Sequence, residues 1–410
     1  MANLYSDKRF FFILAANILS SIGSGITMIA IPWLLVSEVD GGKIFGYITI
    51  AMTAVNFVLT PMIGHIVDRY SRKNILLVGE SLGFILITIF SIYGLMGFEY
   101  QIWHYLILFG TGSFYYNLFY PAIFAFNQEI FDKSVYRSLN GAMEIQGQLS
   151  SVLAGALAAV LLTKVGLEWL LLIDALTYLA AFLFFKAIPY VQKPLSNQGE
   201  AFLMKLTEGY RFMKVRPALF FFLLASFMPF IGVMVTNYVF PVYLAEVLKA
   251  EAAVYGMQTT IYGVGAVIAG ILIPVISLKW GNRYTILFTV FLYATAISTI
   301  VLTSSISVYF LLTVLLAFGN AGTRVARNAF MMDVIPNAIM GRVDSLFRVV
   351  GLGIRLLLLT IFTQLSSQDH ISYSFYLLSA VLIAAFLTVL FSSRKFVETD
   401  THTLLKTRTS

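Results

Sequence analysis

The 410-residue chain has no cysteine, which excludes disulfides, thiolate metal sites and cysteine nucleophiles but leaves the compartment open. Charge is scarce: 11% of residues are Asp, Glu, Lys or Arg, against about 25% in soluble domains. His65, His104, His370 and His402 are too scattered to form a metal-ligand cluster. The common ATP-binding loop, GxxxxGK followed by Ser or Thr, is absent, and no nucleophile–His–acid arrangement can be argued. GVGAVIAG (263–270) superficially resembles a nucleotide loop, but it sits inside an apolar span with no preceding strand and reads as helix packing. No enzyme activity, no cofactor and no metal are expected.

What fills the chain is apolar. Hydrophobic residues make up 59% of it, with 36 Phe, 22 Tyr and a mean hydropathy of +0.86. Runs near or above the roughly 18 residues that span a bilayer recur along the whole length, so an all-α, multi-pass membrane protein is expected. Residues 10–37 are too long and too persistently apolar for a cleavable signal peptide and read as a retained first helix. Twelve spans are predicted, near 9–37, 44–64, 74–97, 102–127, 138–163, 168–187, 218–246, 254–277, 284–303, 307–332, 342–366 and 371–393.

The net charge of +7 would suggest nucleic acid in a soluble protein, but its distribution says otherwise. With the N-terminus inside, 20 of the 27 Lys and Arg residues fall in cytoplasmic segments, and Lys43, Lys164 and Lys249 are the three outside. Arg324, Arg327, Arg348 and Arg355 lie at or within helices. That bias sets both termini cytoplasmic and an even number of spans. The expected surroundings are the lipid bilayer of the cell membrane, with no nucleic-acid partner.

The domain reading places a six-helix bundle at 1–187, a linker at 188–217, a second bundle at 218–393 and a cytoplasmic tail at 394–410. Phe202, Leu206, Tyr210 and Met213 share one face of an amphipathic helix in the linker, expected at the membrane surface. An internal repeat relates the bundles. At an offset of 209, Ala16, Gly23, Thr27, Pro32 and Leu35 meet Ala225, Gly232, Thr236, Pro241 and Leu244. At 210, Gly46 meets Gly256, and at 205, Arg137 meets Arg342. Two parallel repeats can rock about a central site and expose it to either side in turn.

GHIVDRYSRKN (64–74) concentrates five ionisable side chains between apolar runs, whereas its copy at 274–284, PVISLKWGNRY, keeps cations at Lys279 and Arg283 but not the Gly64 and Asp68 positions. Positive-inside charge explains Arg69, Arg72 and Lys73; Gly64 suits close backbone approach, and Asp68 can accept bonds at a helix N-terminus. The pattern Gly64-x-x-x-Asp68-Arg69-x-x-Arg72-Lys73 resembles the signature loop of the major facilitator superfamily. Residues 136–179 and VIPNAIMGRVDS (334–345) resemble the macrolide-efflux and enterobactin-exporter branch, a group of drug:proton antiporters. The resemblance implies a cytoplasmic latch in which Asp68 meets the start of helix 11 near Gly341 and Arg342.

Ionisable residues inside the membrane are costly and mark candidate sites. Glu80, Glu144, Asp174, Arg348 and Arg355 are candidates for proton or substrate coupling, with Asp344 one turn from Arg348 on the same face. Arg324, Arg327, Glu80 and Asp344 lie near the interface and read most simply as structural pairing or snorkelling, which leaves Glu144 and Arg355 as the leading coupling candidates. Asn17, Ser21, Ser24, Asn117, Tyr120, Gln148, Asn237 and Asn320 are candidate walls of a cavity expected between the halves. Two departures from the antiporter pattern count against proton coupling: helix 4 lacks a buried Arg, and Ala154-Gly155 stands where Gly-Pro is expected, though the small stripe Gly147, Ser151, Gly155, Ala159 persists. The expected function is proton-coupled export of small amphiphilic compounds, drug or siderophore in type, by a monomer using alternating access. Competing readings are uptake, lysolipid flipping, or a transport-inactive receptor of the same fold.

Overall fold

The computed structural model describes residues 7–132, 135–190, 202–368 and 370–408, with backbone alone at 61, 65, 68, 136–138, 140, 202–206, 337–338 and 395–408. Among these residues the secondary structure is helical, with no strand. The first half contains α1 (Lys8–Val36), α2 (Gly41–Arg69), α3 (Arg72–Leu95), α4 (Ile102–Ile130), α5 (Tyr136–Leu161) and α6 (Leu167–Ala187). After the linker helix α7 (Phe202–Lys214) come α8 (Pro217–Ala225) and α9 (Met228–Val242), which ends in a π-helical turn, Tyr243–Val247. The rest is α10 (Ala252–Trp280), α11 (Asn282–Ile300), α12 (Ile306–Val334), α13 (Asn337–Ser366) and α14 (Tyr373–Arg408).

Eleven stretches among the described residues are long and apolar enough to cross a membrane, counting residues 217–247 as one. The twelfth expected span, α4, is equally long at 29 residues but is diluted by His104, Asn117, Asn127, Gln128 and Glu129. Helix α3 shows the patterning a bilayer imposes. Val78, Leu82, Ile85, Ile89 and Ile92 are all exposed and recur at helical spacing, while Leu76, Glu80, Gly83, Ile87 and Ser91 are buried. The apolar stripe faces outward and a polar-containing stripe inward, the reverse of a water-soluble helix.

Three elements differ from the sequence expectation. Helix α2 runs through Arg69, so Gly64 and Asp68 lie on the helix and the loop shrinks to Tyr70 and Ser71. Ser71 then caps α3 by accepting from the Asn74 N–H at 3.4 Å. The copy of this turn is as short: Gly281, at φ +80°, is the single residue between α10 and α11, and only glycine takes that conformation without strain. The seventh span is broken at Ser226 and Phe227. Pro229 explains the break, because it lacks an N–H and its ring would collide with the Ala225 carbonyl. Helix α14 continues from the last span to Arg408.

The described chain divides into two compact units, residues 1–199 with 240–263, and 200–239 with 264–410. In the first, α1 packs on α5 and α6, α3 on α4 and α6, and α2 on α4. The start of α10 joins this unit through small residues: a Cβ on Gly155 would fall 2.7 Å from Thr260 Oγ1, so only glycine admits that approach. In the second, α11 packs on α12 and α14, α8 on α14, and α7 on α13. Helix α7, expected at the membrane surface, therefore packs on the start of α13, where Glu208 pairs with Arg342.

Candidate functional site

In the first unit, α1 presents Asn17, Ser20, Ser24 and Thr27 inward, a stripe at helical spacing in which all four are buried. Two carboxylates from other helices meet it. Glu80 of α3 is 0% exposed; its Oε2 accepts from Ser20 Oγ at 3.2 Å and its Oε1 from Tyr115 Oη at 2.8 Å. The two hydroxyls are themselves 2.6 Å apart. Asp174 of α6 is 1% exposed; its Oδ2 accepts from Thr27 Oγ1 at 2.6 Å, and its Oδ1 has no hydrogen-bond partner. Every side-chain hydrogen bond described for these two carboxylates comes from a hydroxyl, and neither takes part in an ion pair among the described residues. Tyr116 extends the network to Ser24 at 2.9 Å.

The cations of the α2–α3 turn have partners beyond their expected role in topology. Arg72 Nη1 lies 2.9 Å from the buried Glu129 carboxylate of α4, which also accepts from Tyr190 Oη at 3.0 Å. Lys73 Nζ donates to the Lys186 and Ile188 carbonyls, at 2.9 and 2.7 Å, where α6 ends. A cation there complements the negative end of the helix dipole. Arg69 is exposed. The side chain of Asp68 lies outside the described residues. Among the described residues, a Cβ at Gly64 or Gly341 would meet nothing within 4 Å.

Other candidates separate into small local groups. Glu144 is exposed and accepts from Gln148 Nε2 at 3.1 Å. Asn117 lies 3.4 Å from Asn56, and Asn17 Nδ2 lies 3.4 Å from Met143 Sδ. Ser21 is half-buried, and Tyr120 and Asn237 are exposed. Arg355 is half-buried, with its Nε unsatisfied. Ser20, Thr27 and Tyr115 are absent from the sequence candidates. The available signal was the spacing 17, 20, 24, 27, which also follows one helix face.

The second unit holds a cavity of about 110 Å³ where the break between α8 and α9 faces α12 and α13. Asn320, Arg324 and Arg327 reach it from α12, and Asp344 and Arg348 from α13. Asp344 accepts from Arg348 Nε at 2.7 Å. Arg327, read from its sequence position as interfacial, is packed within the protein at 4% exposure. Phe227 N–H bonds to the Leu224 carbonyl, which leaves the Leu223 carbonyl to accept from Ser226 Oγ at 3.1 Å and Arg327 Nε at 3.3 Å. The guanidinium also sits over Phe227 and Phe347, 4.8 and 5.4 Å from the ring centroids.

The sequence matches the family described as Major Facilitator Superfamily over residues 13–352 and 222–405. No curated protein sequence matches it. Among solved structures, a nucleoside transporter, NupG, is similar with a TM-score of 0.71 at 13% identity, covering 93% of this chain and 99% of that one. A bacterial homologue of the iron transporter ferroportin gives 0.73 at 14%, covering 93% and 98%. A bacterial homologue of the lysosomal transporter Spinster gives 0.70 at 14%, covering 95% and 98%. At such identities the likeness speaks for the fold, and these transporters differ in substrate. Together with the family match and the apolar helices, it makes this chain a multi-pass membrane transport protein that belongs to the major facilitator superfamily.

Proposed function

We propose that this transporter exports small amphiphilic compounds from the cell by alternating access, with protons moving in the opposite direction. The observation that carries proton coupling is the triangle formed by Glu80, Ser20 and Tyr115. Its three oxygen–oxygen contacts are 2.6, 2.8 and 3.2 Å. With Glu80 ionised, the two hydroxyls supply two protons for three contacts, so one contact has no hydrogen. A proton on Glu80 completes a ring in which each of the three side chains donates once and accepts once. A site that is complete with a proton and incomplete without it is a carrier for one, and burial away from any described cation keeps the charged form costly.

Asp174, on the same polar stripe, is the second carrier in this reading. Glu144, by contrast, is exposed and bonded to its own helix neighbour, so the coupling role moves to Glu80. Both termini are placed in the cytoplasm by the Lys and Arg distribution, and the working unit is a monomer. Asp68, one turn after Gly64 on α2, is assigned a conformational role. Asp68→Asn is expected to slow turnover while substrate binding persists; lost binding would sink that assignment.

The deciding experiment is flux of labelled amphiphiles in proteoliposomes, with and without an imposed pH gradient. Transport that ignores the gradient removes proton coupling, and accumulation rather than depletion on expression in cells removes export in favour of uptake.

A further inference from the structure

Arg327 is positioned in a way that structural packing leaves unexplained. Its Nε is held by the Leu223 carbonyl and its faces by Phe227 and Phe347, yet Nη2 is buried and has no hydrogen-bond partner among the described residues. An unsatisfied buried donor on a charged group is expensive. A neutral side chain would cap the same carbonyl without that cost. Three arginines and one aspartate line the cavity, a formal charge of 3 − 1 = +2, and the aspartate is taken by Arg348. The cavity is thus a cationic, aromatic-walled recess with a donor fixed in place.

Its size limits what enters. At about 110 Å³ it has room for roughly four waters at about 30 Å³ each, and it is well below the ~300 Å³ at which drug-sized ligands begin to fit. A carboxylate or phosphate group fits between walls that include Phe227 and Phe230; the rest of a larger molecule must stay outside. Guanidinium recognises both groups through paired N–H donors. We propose that this cavity binds the single anionic headgroup, carboxylate or phosphate, of an amphiphile whose apolar tail remains outside, with the Arg327 guanidinium as the principal cation. As a substrate class this rests on the reading of the chain as an amphiphile transporter; as a binding site it does not.

The test measures binding of octyl phosphate, octyltrimethylammonium and inorganic phosphate to the full-length protein in phosphatidylcholine nanodiscs. Octyl phosphate is expected to bind Arg327→Gln about tenfold more weakly than wild type, the scale of one hydrogen bond to a charged group. Arg327→Lys falls between, octyltrimethylammonium is unaffected, and inorganic phosphate competes with octyl phosphate. Equal affinity of wild type and Arg327→Gln for octyl phosphate, with matching thermal unfolding, overturns the proposal.

Should Arg327→Gln not fold, Asn328→Asp serves instead. Asn328 is exposed at the cavity lining, and a carboxylate there should weaken octyl phosphate binding several-fold; unchanged affinity overturns the proposal. Replacing phosphatidylcholine with phosphatidylglycerol separates two sources of the anion. Weaker octyl phosphate binding then identifies a resident phospholipid headgroup, while unchanged binding with Arg327-dependent octyl phosphate flux identifies a transported solute. Binding that survives where no gradient-driven flux exists would defeat the transport reading and leave this site standing.

Discussion

Ser20 and Pro229 occupy the same place in the two sequence repeats, at the offset of 209 that also aligns Pro32 with Pro241, and they act in opposite ways. Ser20 leaves α1 unbroken for 29 residues and turns its hydroxyl onto a buried carboxylate. Pro229 interrupts the second copy, and the interruption releases the Leu223 carbonyl to fix a buried guanidinium. The first unit therefore has acidic groups closed among hydroxyls, and the second has a cationic recess. A duplicated helix order has diverged in the sign of the charge it buries, through a difference that acts on backbone hydrogen bonding as well as on side-chain chemistry.

The comparison can be broken most severely at Glu80. Glu80→Gln keeps the size and both hydroxyl partners but fixes the group neutral, so flux in proteoliposomes should fall to its gradient-independent level. Flux that still follows the imposed pH gradient would remove the acidic half of the comparison.

Next come the ion pairs of the two units. Arg72→Ala takes a cation from Glu129, whose side chain is 3% exposed, and should cost about 3 kcal/mol, the lower end for breaking buried pairs. Arg348→Ala breaks a pair whose arginine is 74% exposed and should cost less than about 1 kcal/mol. Thermal unfolding of the two variants should rank them in that order, and equal shifts would deny that the first unit relies more on buried charge. An effect of opposite sign is expected from Pro229→Ala, which lets the seventh span close. Unfolding temperature should rise by the equivalent of about 1 kcal/mol as a helix breaker is removed, while octyl phosphate affinity falls because Leu223 no longer has a free carbonyl. A stabilised variant with undiminished affinity would separate the helix break from the recess.

Sequence reasoning found Glu80 and Asp174 because carboxylates in apolar runs are conspicuous in one dimension. It favoured Glu144 and Arg355 over both and placed Glu80 and Arg327 near the interface, since depth along a helix does not say which way a side chain faces. The Pro229 break was legible in principle, but proline is tolerated in many membrane helices, so the residue alone does not announce an interruption. The α2–α3 turn shows the same limit. Arg72 and Lys73 are explained by topology until Glu129, Tyr190 and the end of α6 come into contact with them.

What the sequence by itself determined is the membrane class, the succession of long apolar helices and the repeat. These depend on run length, on spacing and on where charge falls along the chain, all of which are local properties. What only the tertiary structure decided is which polar groups meet. Ser20 and Glu80 are 60 residues apart, Ser20 and Tyr115 95, and Leu223 and Arg327 104. Their meeting depends on the rotation of each helix about its own axis. That rotation is set by close packing, such as Gly155 against Thr260, and by the cost of leaving a buried polar group unsatisfied.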